Sequence, residues 1–195
     1  MVLGIIAILG WEVRQLNVDM VYLEANVEEE IYIELPEGYR DSKKQVDLLK
    51  EAMYGLVNAG LFWSKRFRTE LKAKGFERFQ ADPCVLRRVL REKVVVIIVV
   101  YVDDLLVASA TKRDEEQVLK DLHSCFPIKD LGEVSFYLGY YISRDRDAGK
   151  LRLNHHQYLQ TLAEHFEITK TSAIPPAARG KPLSKADGPQ TSADA

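Results

Sequence analysis

Asp103 and Asp104 stand side by side between two apolar runs, residues 94–102 and 105–108. An Asp pair at a chain reversal reads first as a turn, since Asp tolerates tight turns. Two features argue against a turn alone. Tight hairpins favour Gly or Asn, and neither is present here. Two like charges side by side are also costly unless something positive lies between them. A divalent cation fits that role: Mg2+ takes hard oxygen ligands, commonly one or two carboxylates together with substrate phosphates. Rigid strands beneath such a pair would support two-metal phosphoryl or nucleotidyl transfer. That chemistry needs a further carboxylate from elsewhere in the fold.

The elements that must position these acids are legible from periodicity. Residues 2–10 suit a short apolar helix, and EVRQLNV (12–18) alternates as a half-buried strand does. Residues 31–33 and 46–49 are strand-like, with a turn at Leu35-Pro36-Glu37-Gly38 between them. LFWSKRFRTELKAKG (61–75) is an amphipathic helix ending at Gly75, with Trp63, Phe67 and Leu71 on its inner face and Lys65, Arg68 and Lys72 on a basic stripe. Strands are expected at 84–90, 94–102, 105–109, 136–142 and 151–153, and helices at 112–125 and 155–166, the second capped by Asn154. This order predicts an α+β fold, a split βαβ, ferredoxin-like antiparallel sheet with helices packed on one face. Residues 1–170 form the expected domain. The Pro/Ala/Ser-rich tail 171–195 holds four of the seven prolines and no aromatic residue, and is expected to be disordered.

Bulk composition narrows the function classes. The 195 residues carry a net charge of −2, so nucleic acid would have to be held by local basic patches. Cys84 and Cys125 match no metal-ligand spacing and read as reduced thiols of an intracellular, cytoplasmic protein. No apolar run reaches the roughly 18 residues that span a bilayer, so no membrane is expected. The apolar N-terminus has no positive charge before Arg14 and reads as a core helix, not a leader.

With its neighbours, Tyr101-Val102-Asp103-Asp104 resembles the YVDD box of reverse transcriptases. Further blocks resemble the copia-type (pseudovirus) LTR retrotransposon group in order: QLNVDMVYLEANVEEEIYIELPEGY at 15–39, AMYGLVNAGLFW at 52–63, GFERFQADPCVLRR at 75–88, VYVDDLLVA at 100–108 and IKDLGEVSFYLGYYISRDRDAGKLRLNHHQYLQTL at 128–162. The resemblance implies a polymerase palm with truncated fingers and thumb. It also implies RNA-directed DNA polymerase activity with two Mg2+ ions, an RNA template, a DNA primer and deoxynucleotides. The remainder of a retrotransposon polyprotein and a virus-like particle are the implied surroundings. Asp103 and Asp104 become metal ligands. Tyr22 matches the aromatic under the incoming sugar and Tyr101 the one beside the primer end, although both also suit core or strand-end aromatics. Lys65, Arg68 and Lys72 could face a phosphate backbone or be an ordinary solvated face.

One departure bears on the chemistry. Where the family pattern reads like QLDV, this chain reads Gln15-Leu16-Asn17-Val18. An amide at 17 brings no negative charge against the metal ions, so the expectation is a copy that has lost polymerisation. Asp19 shares a strand face with Asn17 only if the strand continues, and then roughly 6–7 Å further along. Residues 57–61, Val-Asn-Ala-Gly-Leu, replace a family pattern like KQAPR and lose its cations. Two other readings stay open: a non-catalytic nucleic-acid-binding module keeping the palm fold, and a different Mg2+ phosphotransferase.

Overall fold

The computed structural model describes residues 2–39 and 45–168. The tail expected at 171–195 lies outside the described residues. The chain divides into two compact units, 1–154 and 155–195. The first opens with α1 (Val2–Leu9) and β1 (Glu12–Val18), followed by a small hairpin of β2 (Tyr32–Glu34) and β3 (Val46–Leu48). Then come α2 (Ala59–Ala73), β4 (Phe76–Arg78), β5 (Val85–Leu90), β6 (Lys93–Tyr101), β7 (Asp104–Ser109) and α3 (Lys112–His123). The unit ends with β8 (Ile128–Glu133), β9 (Phe136–Tyr137), β10 (Tyr140–Asp145) and β11 (Lys150–Asn154). The second unit holds α4 (His156–His165), whose N-cap position is His155, without a side-chain capping bond, and not Asn154, which is the last residue of β11.

The main sheet has six strands in the order β4-β5-β6-β7-β1-β8, with every adjacent pair antiparallel. The class is therefore mixed α+β. β6 lies in the interior of this sheet and carries side chains into a core on each face, which accounts for its unbroken apolar run. Alternation divides the strands cleanly. Leu16, Val18, Ile98, Leu105 and Val107 enter one core with Phe67 and Leu71 of α2 and Val118 and Leu122 of α3. Val13, Ile97, Leu106 and Ala108 enter the other with Ile6 of α1 and with Tyr137 and Ile142. The expectation of helices on one face holds for α2 and α3, but α1 packs in the opposite core.

Local chemistry explains the element ends. Thr111 caps α3, its hydroxyl accepting from the Asp114 N–H at 3.2 Å, with Asp114 and Glu115 in the positive first turn. Gly75 ends α2 in the left-handed region at φ +82°. The expected strand 136–142 is broken in two, because Leu138 and Gly139 both take positive φ and form the β9–β10 turn. Arg88 of β5 pairs with Asp121 of α3 at 2.9 Å and lies 4.4 Å over the Phe76 ring, so it is a strut between sheet and helix.

Two expectations follow. Phe67 is buried between Trp63 and Phe126, with ring centroids 5.2 and 5.3 Å away. Phe67→Ala should cost about 3–5 kcal/mol in urea unfolding. The Tyr137 hydroxyl is buried without a protein partner, and burial, with the Asp104 charge adding to it, pushes its pKa up to about 12 from 10.0. Unfolded chains release that proton near pH 10, whereas the native state holds it to about pH 12. Stability linked to Tyr137 is therefore full below pH 10 and is lost as the pH rises between the two values. Tyr137→Phe should leave neutral-pH stability unchanged or higher and flatten the alkaline decline.

Candidate active site at the β6–β7 tip

β6 and β7 are joined by a two-residue turn, Val102-Asp103, with Tyr101 paired to Asp104 at its base. Asp103 is therefore in the turn, while Asp104 already belongs to β7. The absent glycine leaves a mark here. Val102 takes φ +56°, a left-handed conformation that costs an L-residue roughly 1–2 kcal/mol and that β-branched residues seldom adopt. The Trp63 indole N–H donates to the Val102 carbonyl at 2.8 Å.

β1 runs antiparallel beside β7, and its register sets Asn17 opposite Asp104. Asn17 and Asp104 alternate with residues of the first core, so both project from the other face of the sheet. Tyr101, directly across from Asp104, shares that face and is 57% exposed. The Asn17 Nδ2 donates to Asp103 Oδ2 at 3.0 Å, and the Val18 N–H donates to the Asp103 carbonyl at 2.9 Å. A carboxylate only accepts, so the amide must turn its nitrogen toward Asp103. Among the described residues, no three His, Cys, Asp or Glu side chains gather into a metal-holding group.

Asp19 does not continue the alternation. β1 ends at Val18, and Asp19 lies in the following turn with its N–H on the Pro127 carbonyl at 3.0 Å. Tyr22 packs edge-to-face on Tyr54, with centroids 4.7 Å apart. It lines a cavity of about 180 Å3 on the helix side of the tip with Trp63, Arg68, Val100 and Val102. The basic stripe is partly engaged: Lys65 pairs with Glu28 at 2.6 Å, and the Arg68 Nε donates to the Ser64 carbonyl at 3.0 Å. Lys72 lies in the last turn of α2. Cys84 and Cys125 are free thiols.

Two residues near the tip escaped the sequence reading. Trp63 was assigned to the core only, and nothing in its helical spacing marks an indole aimed at a turn. Lys129 stands opposite Asn17 on β8 and is exposed. The row across the tip is thus Tyr101, Asp104, Asn17, Lys129. A strand assignment for residues 128–133 would have found it.

A family profile described as reverse transcriptase (RNA-dependent DNA polymerase) matches residues 1–177. The chain is 34% identical over 193 residues to a retrovirus-related Pol polyprotein from transposon TNT 1-94 of Nicotiana tabacum, covering 97% of this chain and 14% of that protein. It is 31% identical over 177 residues to a putative transposon Ty5-1 protein of Saccharomyces cerevisiae, covering 89% and 57%. It is 30% identical over 190 residues to the Pol polyprotein from transposon RE1 of Arabidopsis thaliana, covering 96% and 13%. The chain thus spans about a seventh of the length of the plant polyproteins it matches. With a family match over most of its residues, this chain belongs to the reverse transcriptase family, and its relatives are copia-type transposon Pol polyproteins.

Proposed function

We propose that this chain is the palm region of an RNA-directed DNA polymerase from a copia-type retrotransposon polyprotein, and that this copy no longer polymerises. The observation that carries the reading is the 3.0 Å contact between Asn17 and Asp103, at the position where the family pattern has an aspartate. The palm assignment is supported by the six-stranded antiparallel sheet, with two helices behind it and the acidic tip at its end. An RNA template, a DNA primer and deoxynucleotides are the proposed substrates, and the rest of the polyprotein is the proposed partner.

The donor set was tested against the two Mg2+ ions that such a polymerase uses. Two divalent ions bring four positive charges. Asp103 and Asp104 offset two, and Asn17, whose Nδ2 faces Asp103, has only a neutral amide oxygen to give a cation. These residues suit a single hard cation held by the two aspartates and do not suit a pair. No two-metal step is therefore derived for this chain. Losing a charge at a preorganised site typically costs on the order of 10²–10³ in rate, and misplacing the attacking hydroxyl by about 1 Å adds to that.

With a primed RNA template, deoxynucleotides and Mg2+, the chain is expected to give no extension above background, and measurable extension would overturn the loss of activity. Salt-sensitive binding of an RNA–DNA hybrid without extension is the result that favours a non-catalytic binding module. A second expectation concerns stability. Asn17→Asp exchanges a hydrogen bond for a third carboxylate beside Asp103 and Asp104, with the exposed Lys129 offsetting only part. In a chelator the variant should be about 1–3 kcal/mol less stable than the parent, and millimolar Mg2+ should restore most of the loss. Equal urea midpoints with and without Mg2+ would contradict this.

A further inference from the structure

We propose that Trp63 is a positioning residue for the acidic tip: its indole N–H holds the left-handed Val102 peptide and so fixes where Asp103 and Asp104 point. The inference rests on the proposed function for what the tip is for, but the holding itself can be read without cation or nucleic acid.

Three observations converge on it. Val102 is a β-branched residue at φ +56°, in a turn that contains no glycine, so the turn needs an external constraint to stay in that conformation. The Val102 carbonyl receives the Trp63 N–H at 2.8 Å, across 39 residues of chain. The donor is itself immobilised: Trp63 is 3% exposed, and its ring is clamped by Phe67 and Phe126, each 5.2 Å away between centroids. A buried aromatic whose only task was to fill space would not need to aim its one polar atom at the strained peptide. The next peptide of the same turn is set by the adjacent strand, because the Val18 N–H on the Asp103 carbonyl ties it to β1. Val102 and Asp103 are thus gripped by α2 from one face of the sheet and by β1 from within it. Both aspartates inherit their direction from those two backbone contacts.

The test is amide hydrogen exchange by NMR on the full chain and on Trp63→Phe, which keeps an aromatic ring and removes the N–H. The Val18 amide, bonded to the Asp103 carbonyl, should exchange roughly 3- to 10-fold faster in the variant. Core amides such as Ile98 and Val107 should change only with global stability. Phe67→Leu is the packing control and should raise exchange throughout the sheet. In a Val102→Gly background, where φ +56° is unstrained, Trp63→Phe should have a distinctly smaller local effect. In the unmodified chain, the Trp63 indole proton should exchange slowly. Uniform acceleration across the sheet, an equal effect in both backgrounds, or a rapidly exchanging Trp63 indole would each overturn the inference. Measurable primer extension by the unmodified chain would instead tell against the proposed function and leave these exchange results standing.

Discussion

The antiparallel pairing of β1 with β7 is the constraint on which the tip depends. Asn17 and Asp103 are 86 positions apart in the chain, yet they share a 3.0 Å hydrogen bond because that register brings the end of one strand to the turn of the other. The register is strongly specified. A slip by one residue would turn Leu16 and Val18 out of the first core and carry Asn17 off the face it shares with Asp104. The same alternation that buries valines and leucines therefore aims the polar side chains of the site. Core packing and site geometry are one problem in this molecule.

On the proposed reading, the amide at position 17 changes the electrostatics of the tip and leaves the strand pairing in place. Two adjacent carboxylates and an amide are easier to hold together in water than three carboxylates, and the Asn17 N–H satisfies an oxygen that a cation would otherwise have to satisfy. The tip can therefore keep its shape without bound metal. On the proposed reading, such a tip lacks the negative charge that a pair of divalent ions requires. An amide at this position is compatible with the six-stranded sheet, the two buried cores and the family match over residues 1–177.

Much of this was legible before any coordinates. β1 was readable to the residue, and β5, β6, β7 and α3 to within one or two, because apolar periodicity is strong where both cores are dense. Asn17 and the two aspartates could be brought together only through the family pattern, since strand pairing across 86 residues leaves no local signal. The missed strands are the sheet's two edges. β4 has three residues, and β8 (IKDLGE) is largely exposed, and short or polar edges carry little periodicity to find. Missing β8 also hid Lys129. The break between β9 and β10 was lost because Leu138 occupies a left-handed position that sequence rules reserve for Gly or Asn. Val102 escaped for the same reason: its conformation is imposed by tertiary contacts, Trp63 among them, and not by its own preference.

Cation binding compared at a single position decides whether Asn17 limits the acidic tip. Calorimetric titration of Mn2+ into the unmodified chain and into Asn17→Asp should give weak binding to at most one ion in the first. In the second, affinity should be higher by on the order of 10–100-fold, with uptake of a further ion. Indistinguishable affinity and stoichiometry in the two proteins would contradict the claim that position 17 completes the acidic tip.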